Sequence, residues 1–156
     1  RSERRSQPVS LILLDFDHFK KINDFYGHQT GDHVLAEAAT LIRQSIRPED
    51  LASRHGGEEL AVLLPDTALE DAVEAAQRIQ QTISDHKYSS TEGQELSLTI
   101  SAGVACREPE DGSVDALVAR ADSALYHSKR TGRNAVSVAG HNDVQRLGAD
   151  NKQISA

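Results

Sequence analysis

The chain has 156 residues, enough for one domain with a real core, and a formal net charge of −7 from Lys+Arg 17 against Asp+Glu 24. That acid excess argues against a protein that tracks nucleic-acid backbones, and no apolar run is long enough to span a bilayer. The single cysteine, Cys106, excludes an internal disulfide and suits a reducing, cytoplasmic setting, and with Met 0 the chain is expected to be a piece of a longer protein.

Residues 1–8 are polar and basic, as in a linker or the end of an upstream helix. Residues 10–17 (SLILLDFD) form an apolar run ending in carboxylates, which predicts a strand buried on both faces with Asp15 near its end. A short helix is expected from His18 to Phe25, broken at Gly27. The next starts near Thr30 to Asp32 and runs to about Arg47, where Pro48 stops it. Its apolar stripe is Val34, Leu35, Ala38, Leu41, Ile42 and Ile46.

Residues 51–55 and 58–64 flank Gly56-Gly57, a pair suited to a hairpin turn. Thr67 and Glu70 have capping-box spacing and predict a helix to about Ser84. Tyr88 to Glu95 is polar and reads as a loop, and residues 96–105 read as a strand. Ser113 caps a last helix that Gly132 ends, a short strand covers Ala135 to Val138, and the tail from Gly140 looks loose. This order predicts an α+β sandwich: a mainly antiparallel central sheet flanked by helices, close to the ferredoxin-like pattern.

Three sets of side chains carry possible chemistry. Asp15, Glu58 and Glu59 would meet at one sheet edge if the hairpin pairs beside the first strand. Hard cations such as Mg²⁺ take such oxygens, although carboxylates beside turns are usually only solvated. Successive strand residues face opposite ways, so Glu58 and Glu59 need a local distortion to share one ion. Lys20, Lys129 and Arg133 either clamp a polyphosphate or, for the last two, simply complement the dipole of the final helix. Asn23, His28 and Asp32 bracket the Gly27 break; Asn and Asp together can read a purine edge, while Asp32 can equally cap a helix and His28 can serve as a turn hydrogen-bonder.

In joint order the blocks are specific. DFDHFKKINDFYGHQTGD (15–32), RHGGEEL (54–60) and ADSALYHSKRTGRN (121–134) resemble the signature blocks of GGDEF-domain diguanylate cyclases, with the resemblance covering residues 9–139 and a tail at 140–156 outside it. It implies a palm-type nucleotidyl cyclase that condenses two GTP into cyclic di-GMP, one GTP per half-site of a homodimer. Asp15 and the Phe16 carbonyl would bind Mg²⁺ (with Mn²⁺ as alternative), and Asn23, His28 and Asp32 would hold GTP. Glu58 would bind metal and take the ribose hydroxyl proton, with Glu59 supporting the metal. Lys20 would stabilise the transferred phosphoryl group, and Lys129 and Arg133 the terminal phosphates.

Arg47-Pro48-Glu49-Asp50 resembles the family's Arg-x-x-Asp site for product inhibition, which Arg78 would complete from a neighbouring domain. Two departures stand out: Leu60 replaces the usual Phe of the motif, and the family's N-terminal helix is missing. The domain itself would contact neither nucleic acid nor membrane, and would sit in the cytoplasm, free or as part of a membrane-anchored sensor. The alternatives are a GGDEF-like sensor that binds GTP or cyclic di-GMP without turnover, and a scaffold, which would leave the guanine and phosphate residues unexplained.

Overall fold

β1 (Val9–Phe16) is the strand its apolar run predicts, buried along nearly its whole length in the computed structural model, which describes residues 7–140 and 143–147. Around it forms a six-stranded sheet in the order β2-β3-β1-β6-β7-β8, built with β2 (Leu51–Arg54), β3 (Glu59–Pro65), β6 (Ile100–Cys106), β7 (Ala135–Ala139) and β8 (Val144–Arg146). Only β6 and β7 run parallel, joined through the crossover helix α4 (Val114–Arg130), so the expected mainly antiparallel α+β sheet is what the chain adopts.

The strand alternation divides the core in two. Ile12, Leu14 and Phe16 turn to one face, where α1 (Phe19–Tyr26), α2 (His28–Gln44) and α3 (Leu69–Asp85) cover them. Leu11 and Leu13 turn to the other and meet Leu117, Ala121 and Leu125 of α4. That helix lies close because β6 offers no side chain at Gly103: a Cβ there would come within 2.2 Å of the Leu125 nitrogen and 2.3 Å of the Ala121 carbonyl. The buried Ser128 hydroxyl completes the seam, donating to the Ala102 carbonyl at 2.9 Å.

Several elements depart from expectation. α2 starts at His28, because Gly27, at φ 96°, turns the chain and its carbonyl accepts from Gly31 N; Asp32 therefore lies inside the helix and caps nothing. At α3 the N-cap is Ala68 without a side-chain bond, so Thr67 and Glu70 form no capping box; the Thr67 hydroxyl instead donates to the Pro65 carbonyl. The stretch read as a loop holds a small hairpin, β4 (Tyr88–Ser89) with β5 (Glu95–Leu96). Tyr88 anchors it, fully buried, its hydroxyl donating to the Ile83 carbonyl at 3.0 Å, and burial raises its pKa above the usual phenol value. β6 consequently begins at Ile100 rather than at residue 96. Within the supposedly loose tail, Val144–Arg146 adds an edge strand to β7. Residues 1–6 of the expected linker and 148–156 of the tail lie outside the described residues.

Candidate active site

The metal candidates follow from register. β3 pairs directly with β1, and Glu59 is the cross-strand partner of Asp15, so the two carboxylates share a sheet face. Glu58 sits one residue earlier, in the bend that precedes β3, and its carbonyl accepts from Phe16 N at 3.1 Å. Gly56 takes φ 101°, and Arg54 closes the turn by donating to the Gly57 carbonyl at 2.8 Å. The ends of β1 and β3 thus bring Asp15, Phe16, Glu58 and Glu59 to one edge.

From α4, whose close approach Gly103 permits, the Lys129 ammonium ion-pairs with Asp15 Oδ2. Asp15 Oδ1 is buried and has no hydrogen-bond partner. A buried carboxylate oxygen left unpaired is costly, and a hard cation is the natural partner for it. Among the described residues no three His, Cys, Asp or Glu side chains converge as a ready cage. A set of one or two carboxylates fits Mg²⁺, which keeps positions for substrate oxygens.

A second group lies where α1 meets α2. Asn23 packs on Gly31, the residue before Asp32: a Cβ on Gly31 would fall 1.7 Å from Asn23 Oδ1, an atom also buried without a partner. Asp32 lines a cleft of about 170 Å³ with Leu35, Arg54 and Leu60, so it opens toward the motif hairpin. Leu60, in place of the family's Phe, is buried in the core and forms part of that wall. His28 is exposed at the start of α2. Lys20 projects into solvent and pairs with Asp24 on its own helix at 3.2 Å, which does not bring it to Asp15.

Arg133 stands in a bend after α4 in which Gly132, Arg133 and Asn134 all have positive φ (119°, 64° and 49°). Asp17 holds this bend. Its buried carboxylate accepts from Thr99 Oγ1 at 2.7 Å, Ser101 Oγ at 2.7 Å and Asn134 N at 3.0 Å. Nothing in the sequence assigns Asp17 a task; its only signal is the spacing of two from Asp15, and its partners come from residues far along the chain.

The Arg47 cluster lies elsewhere. Asp50, buried, accepts from Arg47 N at 2.9 Å, Nε at 3.3 Å and Nη2 at 2.8 Å, and Nη2 also donates to Thr67 Oγ1 at 2.6 Å and the Pro65 carbonyl at 3.1 Å. The Asp50 hydrogen bond raises the Arg47 pKa further, keeping the guanidinium charged. Arg78 shares a cavity of about 240 Å³ with Arg47 and Asp50 and donates to the Ser45 carbonyl at 3.1 Å, so all three residues meet within one chain.

Comparison with known proteins identifies the family and the fold. Residues 1–135 match the family model described as "Diguanylate cyclase, GGDEF domain". Response regulator PleD of Caulobacter vibrioides is 45% identical over 137 residues, which cover 87% of this chain and 30% of that protein. The active GGEEF domain of a diguanylate cyclase from Vibrio cholerae superposes with a TM-score of 0.82 at 35% identity, covering 90% of this chain and 88% of that one. The GGDEF domain of DgcB from Caulobacter crescentus, solved with c-di-GMP, gives 0.83 at 37% identity and covers 88% and 81%. With its motif blocks assembled at one edge of a palm-type sheet, the chain belongs to the GGDEF family of diguanylate cyclase domains.

Proposed function

We propose that this domain condenses two GTP into cyclic di-GMP, each of two facing copies presenting one nucleotide. The observation that carries the reading is the pairing of Asp15 with Glu59 across β1 and β3, with Asp15 Oδ1 buried and unpartnered and the Lys129 cation beside it. Asp15, the Phe16 carbonyl and Glu58 would hold Mg²⁺, with Glu59 supporting the site, and the ion would supply positive charge next to the reacting phosphate. Lys129 and Arg133 bind the terminal phosphates, and Lys20 swings from Asp24 toward the transferred group. Asn23 and Asp32 hydrogen-bond the guanine edge, and His28, exposed at the start of α2, helps to hold the nucleotide. Glu58 takes the proton of the attacking ribose hydroxyl. Positioning and preset charge account for most of the catalysis in phosphoryl transfer. A GTP-consuming reaction fits a cytoplasmic domain.

The same reading assigns Arg47, Asp50 and Arg78 to product inhibition: Arg47 forks onto a product phosphate, and Asp50 fixes its orientation. No helix among the described residues is long and apolar enough to cross a membrane.

Incubation of the chain with GTP and Mg²⁺ tests the function directly. Cyclic di-GMP and pyrophosphate should form, with turnover per chain rising with protein concentration as copies meet. Binding of GTP without product would leave a sensor rather than an enzyme. Constant specific activity in a sample shown to be monomeric would remove the paired half-sites.

A further inference from the structure

Asp15 and Asp17 are two residues apart, yet their carboxylates are in opposite conditions. Asp15 keeps one oxygen without a partner. Asp17 has none to spare: Oδ1 accepts from Ser101, and Oδ2 from Thr99 and the Asn134 backbone. Both oxygens of Asp17 are thus engaged by neutral donors, and neither is left bare as Asp15 Oδ1 is. What Asp17 can do is fix the atoms that donate to it.

Its most consequential donor is Asn134 N. That amide closes a bend in which two non-glycine residues, Arg133 and Asn134, hold left-handed backbone angles that cost free energy. A charge-assisted hydrogen bond to the backbone offsets such strain. Beyond the helix-end bond from Arg133 N to the Ser128 carbonyl at 2.9 Å, two side chains brace the bend: Gln80 on α3 donates to Asn134 Oδ1 at 2.6 Å, and Arg146 on β8 donates to the Thr131 carbonyl at 2.9 Å. Neither touches the backbone next to Arg133; Asp17 does, and it joins that backbone to the end of β1 that carries Asp15.

We propose that Asp17 is a positioning residue for the phosphate clamp: it sets the bend so that Arg133 is preorganised for the terminal phosphates of the nucleotide held beside Asp15. This rests on reading Arg133 as a phosphate-binding residue. A clamp held in place in advance loses less freedom on binding, so the benefit falls on nucleotides long enough to reach it.

The test compares KM and kcat for GTP with the competitive inhibition constant of GMP, which lacks the outer phosphates, in wild type, Asp17→Asn, Arg133→Ala and the double variant. Asp17→Asn should raise KM for GTP about tenfold, change kcat little and leave GMP inhibition unaltered, and it should add nothing in the Arg133→Ala background. If Arg133→Ala leaves KM for GTP unchanged, the reading of Arg133 fails and the proposal with it. If Arg133→Ala raises KM but Asp17→Asn costs the same in both backgrounds, or weakens GMP as much as GTP, Asp17 acts on the fold at large and the proposal alone is overturned. Should Asp17→Asn not fold, Thr99→Val/Ser101→Ala, which loosens the carboxylate while sparing the Asn134 bond, should show the same selectivity at smaller amplitude. Equal losses for GTP and GMP would again overturn it.

Discussion

The Asp15 edge and the Arg47 pocket are both polar clusters at sheet ends, but they are satisfied to different degrees. In the Arg47 pocket the charges answer one another: Asp50 accepts three times from Arg47, and Nη2 also donates to Thr67 and Pro65. At the Asp15 edge and the adjoining α1–α2 junction, Asp15 Oδ1 and Asn23 Oδ1 are buried without partners. Unpaired buried acceptors cost stability and are tolerated where a ligand completes them. The buried carboxylate of the Arg47 pocket is therefore satisfied by the chain itself, with the Arg47 side chain 45% exposed, while the Asp15 edge has the most to gain from a bound cation and nucleotide.

The two regions should fail independently, and Glu58→Gln applies the strongest pressure. The amide neither takes a proton nor ligates Mg²⁺ well, so turnover should fall by on the order of 10²-fold for each lost role. Calorimetric binding of cyclic di-GMP at the Arg47 pocket should remain. Wild-type single-turnover rates would remove Glu58 from the mechanism, and loss of product binding would show that the regions are not separate.

Arg47→Ala reverses the comparison. Product affinity should drop by about ten- to a hundredfold, the loss of a charge-assisted fork, while the initial rate before product accumulates is spared. Progress curves for the variant should then stay linear where those of the wild type bend. Equal bending in both would end the inhibitory reading. Asp50 retains the Arg47 backbone amide as a donor in this variant, which limits the cost to the fold.

Gly31→Ala sharpens the account of the nucleotide side. A methyl there must displace the Asn23 amide, since no space exists between them. KM for GTP should rise about tenfold, with discrimination against ATP weakened, although alanine favours the helix by about 1 kcal/mol. An unchanged KM would mean that Asn23 does not read the base. Thr67→Val should have the smallest effect, about a threefold loss of product affinity as Arg47 loses one of its fixed partners. A calorimetric titration of the variant suffices, and no change would assign the orientation of Arg47 to Asp50 and the Pro65 carbonyl.

Legibility in the sequence followed the range of the interactions involved. β1, the motif hairpin and the Ser113 cap of α4, whose hydroxyl accepts from Ala116 N, were readable because each depends on neighbours a few residues away. Thr67 and Glu70 had the spacing of a cap but form none, because the Thr67 hydroxyl lies between Pro65 and Arg47 instead. Val144–Arg146 has no strand signature; it pairs because β7 presents an open edge and Arg146 can reach Thr131.

The sequence by itself determined the family and which residues are candidates for its chemistry, since the three motif blocks, their order and their glycines are local facts of the chain. Tertiary structure alone decided how those residues are partnered. The register of β1 against β3 put Glu59 opposite Asp15, and the missing side chain at Gly103 brought α4 near enough for Lys129 to reach that carboxylate. Asp15, on β1, and Asp17, in the turn just after it, are the same residue type and were given different partners by what folds against them. A carboxylate's role is set by the donors around it, and for Asp17 those donors are Thr99, Ser101 and Asn134, residues that only the folded sheet brings together.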